Sequence, residues 1–302
     1  MSHIPVMLGE VLDVISPRDG AHYIDGTFGG GGYSRALLDA ARCSVLGIDR
    51  DPDAIARGQN MVTQYAGRLT LVQGEFSRMD RLFSGKSDGV VLDLGVSSFQ
   101  LDEPMRGFSF REDAPLDMRM SKTGVSAADV VNESDEKTLI EIIGGLGEEH
   151  HARRVARAII AARPINRTLE LADVVSKALG PAAARFPIHP ATRTFQGLRI
   201  YVNDELGELE RGLEAAERVL KAGGRLAVVA FHSLEDRIVK QFLQSRGRPA
   251  PASSRHLPQA TSSGKQAFRL LGSRPKTPTP AEIASNPRAR SAKLRAAERI
   301  AA

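Results

Sequence analysis

The sequence predicts an α/β protein: a doubly wound, mostly parallel sheet with an all-α domain inserted into it. Short apolar runs alternate with helical periodicity over the first hundred residues, which is typical of a buried parallel sheet. That rhythm then stops, and more than a hundred residues separate Leu94 from the next convincing strand at Arg225. An ordinary crossover needs only about a dozen residues, so the intervening stretch predicts an inserted domain.

Each predicted element of the sheet is a short apolar run that ends in glycine or an acidic residue. The predicted strands cover 21–25, 44–48, 69–72, 89–94 and 225–231. The helices predicted to cover the sheet are 6–15, 34–41, 52–65 and one that begins near 233 and ends near 244.

The insert has helical spacing throughout. Its predicted helices cover 127–132, 136–143, 149–162 and 169–179, with Gly144 and Gly180 where C-terminal caps belong. Apolar residues three or four apart from Phe195 to Leu220 predict one long helix that returns to the sheet. The predicted domains are a core of 1–104 and 196–245, a helical insert of 105–195, and a C-terminal arm of 246–302.

Composition excludes several classes of protein. The chain is 42% hydrophobic and 25% charged, which is ordinary for a globular protein and not for a disordered or fibrous one. The single cysteine, Cys43, excludes a disulfide framework and a cysteine zinc cluster. His150 and His151 lack a third ligand at metal spacing, so no metal site is predicted. No membrane span or secretory signal is evident, and we expect a cytoplasmic location.

Charge is unevenly distributed along the chain. Residues 245–302 hold twelve of the 41 Lys and Arg but two of the 36 Asp and Glu, a net charge of +10 in a protein of +5. This stretch is also rich in proline and serine, so it is not expected to fold alone. It predicts either a basic, extended arm for a polyanionic partner or a solvated tail that aids solubility.

A glycine-rich loop, Gly26 to Gly32, follows the first predicted strand and favours a cofactor site. Asp49 ends the second strand, where a carboxylate accepts hydrogen bonds from ribose hydroxyls. The dinucleotide pattern G-x-G-x-x-G does not fit this loop, and no P-loop lysine follows it. With Asp25 before the loop, the residues suit S-adenosylmethionine, which carries an amino acid and a ribose but no phosphate. The alternative is a tight turn without a ligand.

Three more residues follow strand ends, where ligands bind an open α/β sheet. Phe76 is placed to stack on an adenine ring, or belongs to the core. Asp93 ends the fourth strand and contacts a ligand, caps a helix or forms a structural ion pair. Gln100 is a further hydrogen-bonding candidate, although it is weak evidence by itself.

Together these residues resemble a known family, the bacterial 16S ribosomal RNA cytosine-N4 methyltransferases of the MraW (RsmH) family. The similarity runs essentially from end to end. The motifs that carry it are His3-x-Pro5-Val6, Tyr23-Ile24-Asp25-Gly26-Thr27-Phe28-Gly29, Gly47-Ile48-Asp49-Arg50-Asp51-Pro52, Leu92-Asp93-Leu94-Gly95-Val96-Ser97-Ser98-x-Gln100, Arg106-Gly107-Phe108-Ser109-Phe110, Pro115-Leu116-Asp117-Met118-Arg119-Met120, His189-Pro190-Ala191-Thr192-Arg193-Thr194-Phe195-Gln196, Phe231-His232-Ser233-Leu234-Glu235-Asp236 and Asn286-Pro287-Arg288-x-Arg290-Ser291-Ala292-Lys293-Leu294-Arg295.

The resemblance implies an S-adenosylmethionine-dependent enzyme that methylates the exocyclic N4 amine of one cytidine in the decoding centre (P site) of 16S ribosomal RNA. Its partner would be that RNA within the small ribosomal subunit, and its own oligomeric state, monomer or homodimer, stays open. Many family members have His where this chain has Tyr33, which matters only if the contact is through the side chain. The implied cofactor contacts are Gly31, Gly32, Tyr33, Asp49, Phe76, Asp93 and Gln100.

The candidate acceptor for the amine hydrogens is Asp93, with Asn203 and His232 as secondary candidates. The Asn/Asp/Ser-Pro-Pro-Tyr/Phe motif of many amine methyltransferases is replaced here by Asp-Leu-Gly-Val. The target base is expected to be flipped out of its stack. Arg106, Phe108 and Phe110 are either contacts for that nucleotide or a packed hinge; Arg153, Arg154 and Arg157 either meet phosphates or form a solvated face.

Two other functions compete with methylation: a nucleotide-dependent oxidoreductase on the same sheet, and a non-catalytic ribosome-assembly factor. For the basic arm, the sequence predicts that deletion beyond Pro280 weakens RNA binding more than cofactor binding. The resemblance also leaves open that Arg288 to Arg299 dock back near the site instead of trailing freely, and equal losses in both would place the arm in the core fold.

Overall fold

A computed structural model of the protein describes residues 5–181, 188–247 and 266–300. The chain divides into two compact units, Met1–Gly95 with Leu206–Ala302, and Val96–Glu205. The second unit is wider than the insert expected over 105–195. Its extension follows from packing: a Cβ on Gly197 would lie 2.5 Å from the carbonyl oxygen of Ile142, so the helix that carries Gly197 lies directly against the insert.

The first unit contains the sheet, whose order is β3-β2-β1-β4-β5-β7-β6. Strands β1 to β5 are parallel, and β7 and β6 are antiparallel. The mostly parallel, doubly wound sheet of the prediction is therefore confirmed. The strands are β1 (His22–Asp25), β2 (Ser44–Asp49), β3 (Leu69–Gln73), β4 (Ser87–Asp93), β5 (Leu220–Ala230), β6 (Phe268–Leu270) and β7 (Lys293–Arg299).

Helices cover both faces of this sheet because successive strand side chains point to opposite sides. Tyr23 packs with helix residues such as Leu37, whereas its neighbour Ile24 packs with Leu213 and Val239 on the other face. The helices of the chain are α1 (Leu8–Ile15), α2 (Gly32–Ala40), α3 (Pro52–Gln64), α4 (Met79–Leu82), α5 (Ser98–Asp102), α6 (Ala127–Glu133), α7 (Glu136–Ile140), α8 (Ala152–Ala162), α9 (Thr168–Leu179), α10 (Thr192–Val202), α11 (Glu205–Val219), α12 (Ser233–Gly247) and α13 (Pro280–Ser285).

The C-terminal stretch from 266 to 300 is part of the sheet and not an extended arm, so the sequence prediction is wrong there. β7 pairs along β5, from Lys293 opposite Ala230 to Glu298 opposite Arg225. Leu294 is 2% exposed, so this strand contributes to the core. A stretch that cannot fold alone folds here because β5 offers it a partner edge. Four residues used in the sequence argument, His3, Arg248, Arg255 and Lys265, lie outside the described residues.

The long helix predicted from Phe195 to Leu220 is wrong, because it is two helices, α10 and α11. Asp204 between them has φ of 47°, in the left-handed region that ends a helix. Asn203 caps the end of α10, where its side chain donates to the carbonyl oxygen of Arg199 at 2.9 Å. The apolar spacing continues across the break, so the spacing alone does not reveal it.

A π-helical turn, Glu141–Leu146, follows α7 in the second unit. The prediction of a helix to 143 with a cap at Gly144 is therefore wrong in detail, since Gly144 lies inside that turn. Gly180 does follow α9, as predicted, with φ of 78°. Among the described residues, no helix combines the length and the apolar character needed to cross a membrane.

Candidate active site

The glycine loop connects β1 to α2, whose first backbone N–H groups have no acceptor within the helix itself. Gly31 has φ of 73°, and a Cβ there would lie 2.7 Å from both Phe28 Cζ and Met61 Cε. A side chain at this position is therefore excluded by both conformation and space. Gly31 N donates to the carbonyl oxygen of Phe28 at 2.6 Å, so the backbone N–H groups of Gly32 and Tyr33 are the candidates in this loop for a ligand contact.

Asp25 holds this loop in place. Its Oδ2 accepts hydrogen bonds from Ser34 N at 3.2 Å and Ser34 Oγ at 2.7 Å, and its Oδ1 accepts from Thr27 N at 3.3 Å. The carboxyl is fully buried, and burial raises its pKa to about 6 against these hydrogen bonds. Asp25 therefore fixes the conformation of the glycine loop.

Asp49 lies at the end of β2, facing the same loop. Its Oδ2 accepts from Gly29 N at 2.7 Å and its Oδ1 accepts from Asp51 N at 2.8 Å. Burial raises the pKa of this carboxyl to about 6, while the two backbone hydrogen bonds oppose the rise. Each carboxylate oxygen can accept a further bond, so both remain able to bind ribose hydroxyls.

Asp93 at the end of β4 is the most unusual group of the site. Its backbone N–H donates to Thr27 Oγ1 at 2.7 Å, which places it beside the glycine loop. Its Oδ1 is buried and has no hydrogen-bond partner within the described part of the chain. Burial, followed by the negative charges of Asp25 and Glu235, raises the pKa of Asp93 well above its usual range. An unpaired buried acceptor of this kind suits a ligand that brings a positive charge or an N–H donor.

Phe76 lies just beyond β3 and is half-buried. A Cβ on Gly26 would lie 3.0 Å from Phe76 Cβ, and one on Gly212 would lie 2.1 Å from Phe76 Cε2. The ring therefore fills the space between the start of the loop and α11. Its predicted contact with an adenine ring stays a prediction.

The side chain of Tyr33 does not line the loop. It is 4% exposed, and its hydroxyl donates to the carbonyl oxygen of Val6. Burial, followed by the charge of Asp93, raises the pKa of this phenol well above its usual range. A ligand contact at this position is therefore left to the backbone.

His232 and Glu235 form the start of α12, directly after β5. Glu235 Oε2 accepts from the backbone N–H groups of Phe231 at 2.8 Å and His232 at 3.2 Å. In return, Glu235 N donates to His232 Nδ1 at 3.5 Å, so the pair is a capping box with histidine as the N-cap. His232 Nε2 lies 3.1 Å from Glu235 Oε1, yet it is buried and makes no hydrogen bond to any described residue. Sequence reasoning missed Glu235, although its spacing from His232 is that of a capping box.

The remaining candidates belong to the second unit and are engaged there. Gln100 is 5% exposed and its Oε1 accepts from Ser97 N at 2.9 Å, in the capping box of α5. Asn203 Oδ1 accepts from Met120 N at 2.8 Å, and its Nδ2 donates to Met118 O at 2.7 Å. The amide of Asn203 therefore holds the backbone of the insert, and nothing in its geometry favours an acceptor role.

Arg106, Phe108 and Phe110 pack inside the second unit. Arg106 is 6% exposed, and its Nη2 donates to the carbonyl oxygens of Arg119 and Met120, both at 3.0 Å. The Phe110 ring meets that of Phe195 at 4.7 Å. These contacts favour the packed alternative for all three residues. On α8, Arg153 and Arg154 are exposed, while Arg157 donates to Glu136 at 2.9 Å.

The chain is similar to known proteins along almost its whole length. Residues 1–300 match the model of the MraW methylase family. Two curated relatives named "Ribosomal RNA small subunit methyltransferase H" are 58% identical in Parvibaculum lavamentivorans, covering 99% of this chain and 90% of the relative, and 57% identical in Rhodospirillum centenum, covering 99% and 93%.

Solved structures are similar at a much lower level, which carries no argument about function. An rRNA methylase from Streptococcus thermophilus is 10% identical with a TM-score of 0.46, covering 99% of both chains. A SAM-dependent O-methyltransferase from Thermotoga maritima is 12% identical with a TM-score of 0.42, covering 100% of this chain and 68% of that one. The match over residues 1–300 and the 58% identity confirm the resemblance seen in the sequence, and the chain belongs to the MraW methylase family.

Proposed function

We propose that the protein transfers a methyl group from S-adenosylmethionine to the exocyclic N4 amine of one cytidine in the decoding centre of 16S ribosomal RNA. The observation that carries this proposal is Asp93 Oδ1, a buried acceptor beside the glycine loop without a partner among the described residues. Family membership and the names of the curated relatives support a small-subunit ribosomal RNA as the substrate. This substrate implies action in the cytoplasm.

The residues of the first unit fit S-adenosylmethionine. The backbone of Gly31, Gly32 and Tyr33 suits the methionine part, Asp49 suits the ribose hydroxyls and Phe76 suits the adenine ring. Asp93 offers an acceptor to a cationic or N–H group, and Gln100 of the second unit is a further proposed contact. When bound, this cofactor supplies a methyl group on a sulfonium centre.

The amine at cytosine N4 is a poor nucleophile, because its lone pair is conjugated into the ring. The enzyme must therefore hold the amine in line and accept one of its hydrogens as the nitrogen becomes tetrahedral. We assign this task to Asp93 at the end of β4. A carboxylate whose pKa is raised by burial accepts a proton more readily than an exposed one.

RNA binding requires positive charge that is not already paired. A groove between α12 and the segment 270–276 is lined by both apolar and polar residues, and three of them are exposed cations, Lys240, Arg274 and Lys276. No ion pair of these three side chains is found among the described residues. We propose this groove as a contact for the phosphates of the RNA.

The test is transfer of label from methyl-labelled S-adenosylmethionine to purified small subunits, followed by mass spectrometry of the nucleosides. We expect N4-methylcytidine from the wild-type protein. Asp93→Asn should lower turnover at saturating cofactor about a hundredfold or more, since a general base contributes on the order of 10²–10⁴. Label in any other nucleoside would overturn the proposal. RNA binding without transfer would favour the assembly factor, and binding of a nicotinamide cofactor would favour the oxidoreductase.

A further inference from the structure

Two buried polar atoms without hydrogen-bond partners among the described residues lie at neighbouring strand ends of the first unit. They are Asp93 Oδ1 after β4 and His232 Nε2 after β5. The two strands pair in parallel with Asp93 opposite Val229, and His232 follows three residues later. Buried polar atoms in folded proteins are nearly always paired, so two orphans at one sheet edge suggest a ligand that completes both.

The polarity of His232 Nε2 follows from its surroundings. Nδ1 accepts the backbone N–H of Glu235, and a ring nitrogen that accepts carries no proton. In the neutral tautomer the proton is then on Nε2, which lies 3.1 Å from Oε1 of Glu235 but not in hydrogen-bonding geometry. His232 therefore presents a donor, and a donor cannot take a proton from the substrate.

Asp93 presents the opposite polarity, since a carboxylate oxygen accepts. The two unpaired atoms also have a common neighbour, Glu235. Its side chain contacts His232, and its charge is one of those that raise the pKa of Asp93. The sheet edge thus offers one donor and one acceptor to the same bound group.

Cytosine has the complementary pattern on its Watson–Crick edge, where the acceptor N3 adjoins the amine donor N4. We propose that His232 recognises the target cytosine by donating from Nε2 to ring nitrogen N3 while Asp93 accepts a hydrogen of the N4 amine. This inference rests on the proposed function and assigns His232 to base recognition instead of proton transfer. Uracil presents N3–H and a carbonyl oxygen in the same places, so it would leave both protein atoms unsatisfied.

The test removes the acceptor N3 from the cytosine and the donor Nε2 from the protein. Small subunits are reconstituted with ribosomal RNA that carries cytidine or 3-deazacytidine, which lacks the N3 acceptor, at the nucleotide that the wild-type protein labels. Initial rates give one ratio, cytidine over 3-deazacytidine, for each protein variant. The deaza substitution also changes the reactivity of the amine, but by the same factor for every protein variant. That factor therefore cancels when the ratios of the variants are compared.

Two variants separate recognition from helix capping. His232→Asn keeps a good N-cap but has no donor at the Nε2 position, whereas His232→Gln places an amide donor near that position. We expect the ratio to be roughly tenfold larger for the wild type and His232→Gln than for His232→Asn and His232→Ala, since one buried hydrogen bond is worth about a factor of ten. Calorimetry of cofactor binding should give similar affinities for all four proteins.

Equal ratios in all four proteins would overturn the role of His232, even with normal transfer to N4. A wild-type protein whose rate is the same on both nucleotides would overturn it too, without any variant. If the wild type instead transfers no label to any cytidine N4, the proposed function itself fails. The two failures are therefore distinct.

Discussion

The carboxylates that end β1, β2 and β4 have different roles, although each follows an apolar run. Asp25 holds the loop through Ser34, Asp49 supports it through Gly29 and keeps capacity for a ligand, and Asp93 has an oxygen that no described residue pairs. Sequence reasoning identified the position of all three because each stands where a buried strand ends. It could not assign their hydrogen bonds, since these depend on loop conformation.

Asp25 makes stability depend on pH in a defined direction. Folding raises its pKa from 3.8 to about 6, so between those values the folded state binds more protons than the unfolded state. Stability is then lost as the pH rises from about 4 to 6. Asp25→Asn should remove this loss, which amounts to about 3 kcal/mol on the scale of 1.36 kcal/mol per pKa unit.

The measurement is urea unfolding of both proteins at pH 4 and pH 7. Asp49 titrates in the same range and is present in both proteins, and since the charge of Asp25 is the smallest of the causes that raise its pKa, most of its contribution cancels in the comparison. Identical changes with pH for the wild type and the variant would show that Asp25 is not the source.

Tyr33 tests whether the loop binds through backbone alone. Tyr33→Phe loses the bond to Val6 O and should cost about 1 kcal/mol of unfolding free energy. Its affinity for S-adenosylmethionine should stay within about twofold, because the phenol points away from the loop. Calorimetry and urea unfolding measure the two effects. A large loss of affinity with unchanged stability would place the side chain in the cofactor site.

At the scale of elements, the sequence predicted the five parallel strands and missed the two antiparallel ones. Strands β1 to β5 are buried apolar runs with clear ends, and such runs are visible locally. β7, in contrast, reads Lys-Leu-Arg-Ala-Ala-Glu-Arg, and only its pairing with distant β5 buries Leu294 and Ala297. The break at Asn203 was missed for a similar reason, because the side chain of Asn203 binds the backbone of Met118 and Met120, which are distant in the sequence.

Removal of β7 should damage the whole first unit, so deletion after Pro280 should abolish cofactor binding along with RNA binding. This expectation replaces the sequence-based one of a selective loss of RNA binding. A milder variant, Leu294→Ala, should cost about 2–5 kcal/mol of unfolding free energy. The exposed Arg290 is the matched control, and Arg290→Ala should cost less than about 0.5 kcal/mol. A truncated protein that still unfolds cooperatively and binds cofactor would refute the assignment of β7 to the core.

The close approach of α10 to the π-helical turn depends on Gly197. A Cβ there would lie 2.5 Å from Ile142 O and 3.0 Å from Gly147 N, both backbone atoms that cannot move alone. Gly197→Ala should therefore lower the melting temperature and cost roughly 1–3 kcal/mol. Gly145 lies in the same turn, and a Cβ there would have no atom of the described residues within 4 Å. Gly145→Ala is therefore the control and should have little effect, and equal effects of the two would disprove the close contact.

At the scale of the whole molecule, the charge of +5 no longer divides into an acidic body and a free basic arm. Several C-terminal cations form ion pairs within the fold. Arg295 donates to Asp236 at 2.6 Å, and Arg269 donates to Glu298 at 2.7 Å. Contacts with RNA phosphates must therefore come from basic side chains that do not form such pairs. The sequence showed the excess of charge, while only the structure separates paired from exposed cations.

The proposed RNA groove predicts a change in salt dependence. Replacement of Lys240, Arg274 and Lys276 by Glu should weaken binding to small subunits and reduce the slope of log affinity against log salt by about 2–3, since each lost phosphate contact contributes roughly 0.7–0.9. The control replaces Arg42, Arg81 and Arg111 by Glu, which are exposed cations elsewhere that also form no ion pair among the described residues. Filter binding at several salt concentrations measures both slopes. Equal reductions would mean that net charge matters and the groove does not.

The pairing of β7 with β5 has a consequence for biosynthesis. Lys293 follows Ala230 by more than sixty residues, so β5 emerges from the translating ribosome long before its partner. During that interval β5 is an open edge of the growing sheet, which is the kind of surface on which nascent chains associate wrongly. The loop that carries His232 leaves this same strand, so the site proposed for the target cytosine lies next to an open edge until β7 has been synthesised.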